Sequence, residues 1–158
     1  MRKRFAEILY EYMKTDDRIW LLTGDVGWGV LDKIKNTFSK RFLNCGVAEQ
    51  NMIGMACGLA HAGKIPFVYT ITSFLLYRPF EFIRNDVDHD QANVKLIGCG
   101  RNKDYGEAGF THWCCDDHQI MSLFPNILSY WPEDNLDVEN FTKIILWHKG
   151  PCYLNLKR

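Results

Sequence analysis

Apolar residues recur along the chain at helical and then at strand-like spacing, and the two rhythms alternate from end to end. Residues 5–13 carry Phe5, Ile8, Leu9, Tyr12 and Met13 on one helical stripe, closed by Thr15-Asp16-Asp17 before the apolar run 19–23. A glycine-punctuated loop, Gly24-Asp25-Val26-Gly27-Trp28-Gly29, follows that strand. Helices are predicted over 30–38 and 48–61, flanking a short strand at 41–44, with Gly63 as the stop of the second helix. The β-branched and aromatic run 66–71 predicts a strand, and 73–87 a helix in which Pro79 is the awkward member. Beyond it come a buried strand at 94–99 and a weakly periodic, charged and glycine-containing loop at 100–116. Helices at 117–123 and 138–148 then alternate with strands at 127–131 and 152–156. The expected architecture is a three-layer α/β/α domain with a mainly parallel sheet of about six strands.

Composition narrows the picture. The 158 residues are 47% hydrophobic and 24% charged, which suits one packed domain and not a disordered chain. Nineteen basic residues balance nineteen acidic ones, so the electrostatic footprint of a nucleic-acid-binding protein is missing. The opening MRKRFAEILYEYMK is interrupted by Glu7 and Glu11, unlike a signal peptide, and the uncharged stretches 50–63 and 65–77 fall short of a membrane span. No nucleic-acid or membrane partner and a cytoplasmic location are the expectation. Cys45, Cys57, Cys99, Cys114, Cys115 and Cys152 then read as reduced thiols. The cluster His112-Trp113-Cys114-Cys115-Asp116-Asp117-His118 lacks the ligand spacing of zinc knuckles, and no metal site is assigned on this chain.

In such sheets ligands collect outside the carboxyl ends of the strands, where the loops carrying Asp25, Glu49, Ser73 and His112 would converge. Glu49 opens an otherwise apolar helix, a position that the helix dipole alone suffices to explain. Phe74, Tyr77 and Phe80 recur every three residues, as either core or a flat binding platform would. His112 stands alone after Gly109, and on pattern alone a solvated or internally bonded loop residue is the favoured reading over a functional one.

The segment from Arg41 through Asn44-Cys45-Gly46-Val47-Ala48-Glu49-Gln50-Asn51 to Ala60 resembles the pyrimidine-binding domain of transketolase-like thiamine diphosphate enzymes. The resemblance continues through Gly63-Lys64-Ile65-Pro66-Phe67-Val68-Tyr69-Thr70, Ser73-Phe74-Leu75, 94–98, 105–112 and 150–154, covering most of the chain. It implies that Glu49 bonds to the pyrimidine N1′ of the cofactor and favours the tautomer that lets the thiazolium C2 lose its proton. It further implies that Phe74, Tyr77 and Phe80 wrap the aminopyrimidine, that His112 bonds substrate oxygens, and that Asp25 lies near the cofactor.

Departures from the family pattern carry information too. Transketolases acting on sugar phosphates place an aspartate where Ala108 stands and a histidine where Gly100 stands, so a less polar substrate channel is expected here. The family's Gly-Asp-Gly and asparagine metal motif is only imitated by Gly24-Asp25-Val26 and Asn51. The resemblance therefore implies that the diphosphate-binding and carboxyl-terminal domains are absent. A separate diphosphate-binding subunit would hold the diphosphate and its Mg2+ or Ca2+, in a heterotetramer. Trp28, Tyr77 and Trp113 are candidates for the surface that receives it. The expected reaction is transfer of a two-carbon ketol unit to an aldehyde or sugar acceptor. Processing of a 2-oxo acid by a decarboxylase- or dehydrogenase-type enzyme, and a non-catalytic scaffold, are the alternatives.

Overall fold

A computed structural model describes residues 1–158. Six strands form one sheet in the order β2-β1-β3-β4-β6-β5, comprising β1 (Ile19–Thr23), β2 (Phe42–Asn44), β3 (Ile65–Ile71), β4 (Lys95–Cys99), β5 (Leu128–Tyr130) and β6 (Cys152–Leu156). Every neighbouring pair is parallel, with Thr23 beside Tyr69, Tyr69 beside Ile97 and Ile97 beside Leu154. A parallel sheet needs crossovers that cover both faces, so its central strands are apolar on both sides. All seven residues of β3 are buried.

Strand alternation sorts the core into two layers. Leu21, Phe67, Tyr69, Ile97 and Leu154 face one side, packed beneath α1 (Arg2–Thr15), α2 (Asp32–Thr37) and α7 (Asn135–Trp147). Leu22, Val68, Leu96 and Tyr153 face the other, beneath α3 (Glu49–His61) and α4 (Thr72–Tyr77). On α3, Met52, Ile53, Ala56 and Cys57 point inward, while Gly54 and Gly58 lie on the outer face with open space around them.

The expected layers and sheet are present, and the differences lie in the connections. The predicted helix over 73–87 is three pieces: α4 ends at Tyr77, α5 (Phe80–Phe82) restarts after Pro79, and a wider π-type segment, Ile83–His89, completes the crossover. Proline supplies no N–H and its ring collides with the preceding turn, so the helix breaks where Pro79 enters. The predicted loop 100–116 contains two short 3-10 turns, Gly106–Ala108 and Phe110–His112. Its ends are pinned by a backbone bridge between Asn102 and Cys114. Arg101 anchors the loop's start, its buried guanidinium donating to the carbonyls of Pro132 at 2.7 Å and Asn155 at 2.8 Å. The last two helices are α6 (Asp117–Met121) and α7; the latter begins three residues before the predicted 138 because the Asp134 carboxylate accepts from the Leu136 and Asp137 N–H groups. No helix is long and apolar enough to cross a membrane.

Candidate active site

The site lies at the carboxyl ends of β1, β3 and β4 and starts from two local devices. Gly24, just past β1, leaves room for a close approach: a Cβ there would meet the Thr70 hydroxyl at 2.9 Å and Glu49 Oε1 at 3.2 Å. Asn44 ties the neighbouring loops together, its Oδ1 accepting from the N–H groups of Asp25 at 3.1 Å and Gly46 at 3.0 Å. Its Nδ2 donates to Asp25 Oδ1 at 2.9 Å. Gly46 has a φ of +69°, which turns the chain into α3 and sets Glu49 as its first residue.

Glu49 is buried, its side chain only 1% exposed. Its Oε2 accepts from Arg78 Nη1 at 2.8 Å, and its Oε1 from the Thr70 hydroxyl at 3.4 Å. A carboxylate removed from water requires such partners, and the start of a helix adds favourable electrostatics. The Arg78 guanidinium also lies over the Phe74 ring, with Cζ 3.8 Å from its centroid. Phe74 in turn meets His112 edge-on, centroids 4.9 Å apart. Tyr105 flanks His112 from another side at 5.7 Å. The hydroxyl of Thr111 contacts His112 Nδ1 at 3.0 Å, and Ser73 donates to the Thr111 carbonyl at 2.9 Å, which fastens α4 to the loop.

From this cluster Ser73, Phe74, Arg78 and Thr111 also line a cavity of about 840 Å³, together with Tyr77, Phe110 and Trp113, while Glu49 lies behind Arg78 and His112 behind Phe74. Tyr77 is fixed there by a 2.6 Å hydrogen bond from its hydroxyl to Asp116 Oδ2. Burial, with the acceptor beside it, raises the Tyr77 phenol above its ordinary range, so it stays a neutral donor.

Of the residues singled out in the sequence, Glu49, Phe74, Tyr77 and His112 are thus gathered around one region, and Asp25 sits on its rim with a φ of +58°. Phe80 is placed elsewhere: half-buried, it meets Phe124 at a tilt of 45° with centroids 5.2 Å apart, against the second core layer, because the break at Pro79 turns it away from Phe74 and Tyr77. Asn51 lies on the exposed side of α3 and contacts Met55. His112 and His118 part company, the latter stacking on Trp131 at 3.8 Å. At Gly100 the φ is +87° and a Cβ would fall 2.2 Å from the Tyr105 ring, so no larger side chain fits beside that tyrosine. Pattern reading missed Arg78, Thr70, Asn44 and Asp116. Arg78 alone left a signal, as the one charged residue in the run 65–80.

Fold and site together define an α/β domain that presents a buried carboxylate and an aromatic-walled cavity at the carboxyl edge of a parallel sheet. The family model for the transketolase pyrimidine-binding domain matches residues 1–158, and the chain belongs to that family. It is 38% identical over its whole length to a Methanocaldococcus jannaschii protein described as a transketolase C-terminal section, covering 50% of that protein. It is 34% identical to the 6-deoxy-6-sulfo-D-fructose transketolase subunit SqwH of Clostridium sp., covering 100% of this chain and 49% of the subunit. Among solved structures, a split-gene transketolase determined as an inactive β4 tetramer superposes with a TM-score of 0.87 at 30% identity, over 99% of this chain and 51% of that one. The chain spans about half the length of the curated relatives it matches.

Proposed function

We propose that this chain is the pyrimidine-binding part of a two-chain, thiamine diphosphate-dependent transketolase that moves a two-carbon ketol unit to an aldehyde or sugar acceptor. The observation that carries this reading is the Glu49 carboxylate, 1% exposed, meeting a flat cation that lies on the Phe74 ring. A planar, nitrogen-rich ring with an N–H donor has the same requirements. When bound, thiamine diphosphate supplies a nucleophilic carbon for ketol transfer. Glu49 would hold a proton against the pyrimidine N1′, in a place screened from water where a carboxylate interacts strongly. Phe74 would support one ring face, with Tyr77 closing the side of the cavity. His112, held at Nδ1 by Thr111, has Nε2 left to bond a substrate oxygen. Asp25 would approach the cofactor from the rim.

The reading assigns the diphosphate and its Mg2+ or Ca2+ to a partner subunit, in a heterotetramer located in the cytoplasm. Support comes from the subunit descriptions of the relatives and from exposed apolar residues near the sheet's carboxyl edge. Trp28 and Val47 are each 69% exposed and Phe110 is 85% exposed. The small acceptor is a sugar or related aldehyde.

The test is calorimetric titration of thiamine diphosphate and Mg2+ into this chain, alone and mixed with a diphosphate-binding partner, followed by turnover of the mixture. Binding is expected only in the mixture. Glu49→Gln should lower turnover by about 100-fold or more while the chains still assemble. Retained turnover in Glu49→Gln, or no binding in the mixture, refutes the reading.

A further inference from the structure

Arg78 occupies the two surfaces that the reading above reserves for the aminopyrimidine. Its Nη1 donates to Glu49 Oε2 at 2.8 Å, and its guanidinium plane covers the Phe74 ring with Cζ 3.8 Å from the centroid. A guanidinium is flat, delocalised and edged with N–H donors. These features let it match a buried carboxylate at its edge and an aromatic ring at its face, as an aminopyrimidine ring would.

The rest of its surroundings make it displaceable. Glu49 is Arg78's only hydrogen-bond partner, and the arginine side chain is 40% exposed whereas that of Glu49 is 1% exposed. Arg78 lies in the break between α4 and α5, immediately before Pro79, so its backbone belongs to neither helix. Removing it without replacement would leave the Glu49 carboxylate with only the Thr70 hydroxyl at 3.4 Å. An uncompensated buried charge is strongly unfavourable. The cofactor-free site is therefore stabilised by an internal group, and any ligand for Glu49 and Phe74 must exchange with that group.

We propose that Arg78 is a resident stand-in for the aminopyrimidine, pairing with Glu49 and covering Phe74 until the cofactor displaces it. The inference rests on the assignment of this cavity to the pyrimidine ring. Its consequence is twofold. Arg78 protects the empty site from a buried, unpaired carboxylate, and it raises the cofactor's apparent dissociation constant by the reciprocal of the fraction of time the site is free of it.

Thiamine diphosphate with Mg2+ is titrated calorimetrically into wild-type and Arg78→Met chains, each assembled with the diphosphate-binding partner. The melting temperature of each cofactor-free chain is recorded alongside. Arg78→Met should bind about tenfold more tightly, because the competing occupied state is gone. The same variant should melt lower when free, and adding Glu49→Gln should recover the loss because the orphaned charge is removed. Arg78→Gln keeps a neutral N–H donor and serves if the methionine variant does not fold; it too should bind more tightly than wild type. Equal or weaker binding by the variants overturns the proposal and leaves the pyrimidine-site reading standing. Absence of binding by wild type and variants alike overturns both.

Discussion

Replacing Asp117 should do more damage than replacing any other single acid outside the cavity. Asp117 is 1% exposed at the start of α6, and its Oδ2 accepts from Trp131 Nε1 at 2.6 Å, from the Tyr153 hydroxyl at 3.1 Å and from Asn155 Nδ2. Asn155 also accepts from the Thr72 hydroxyl at 3.3 Å, which links β6 to the first residue of α4. The preceding residue, Asp116, holds Tyr77 in the cavity wall. Asp117→Ala leaves two buried donors, on Tyr153 and Asn155, and the half-buried Trp131 N–H without an acceptor, and at about 1–3 kcal/mol for each unsatisfied group, reduced by partial relaxation, the cost should be about 3–5 kcal/mol. With roughly 3 °C of melting temperature per kcal/mol at this size, the shift is about 9–15 °C. Asp117→Asn keeps a carbonyl oxygen for the same donors and puts its amide where Oδ1 has no partner, so about 1–2 kcal/mol is expected. Urea unfolding of both variants with a common slope gives the comparison. A loss below about 1 kcal/mol in Asp117→Ala, or equal losses in the two variants, would contradict a hydrogen-bonding role.

Lys95 is fully buried, its Nζ donating to the carbonyls of His148 at 2.8 Å and Gly150 at 2.7 Å. Burial lowers its pKa from 10.5 to about 8, so the unfolded chain binds this proton more tightly than the folded one. Its contribution to stability is then unfavourable below pH 8 and should rise by about 3 kcal/mol as the pH climbs from about 8 to 10.5. Urea midpoints of wild type should gain on those of Lys95→Met across that window, and a constant gap would refute the assignment. Gly100→Ala should cost about 1–3 kcal/mol, through both its left-handed backbone and the clash with Tyr105, as read from denaturant midpoints. Asp134→Ala removes the acceptor for two N–H groups at 2.8 Å and should cost about 1 kcal/mol of thermal stability, with cofactor affinity unchanged.

Much of the architecture is written locally. The run 65–71 is apolar without interruption because β3 is buried on both faces, and the stripe of Phe5, Ile8, Leu9 and Met13 lies on the buried side of α1. The sequence by itself therefore determined the alternation of helices and strands and the parallel three-layer fold, for which neighbouring positions suffice, since each element's period reports which faces are covered. The family followed from the resemblance of the Gly46-Val47-Ala48-Glu49 segment and the motifs after it, not from any period.

The tertiary structure alone decided which residues meet. Glu49 and Arg78 are 29 positions apart and Tyr77 and Asp116 are 39 apart, separations that no local period encodes. Phe74, Tyr77 and Phe80 share a spacing yet not a destination, because the missing N–H of Pro79 breaks the helix and turns the half-buried Phe80 against Phe124 at the edge of the second core layer. Which side chain pairs with the buried carboxylate is a matter of distance across the sheet's carboxyl edge, set by strand order and by where one helix stops.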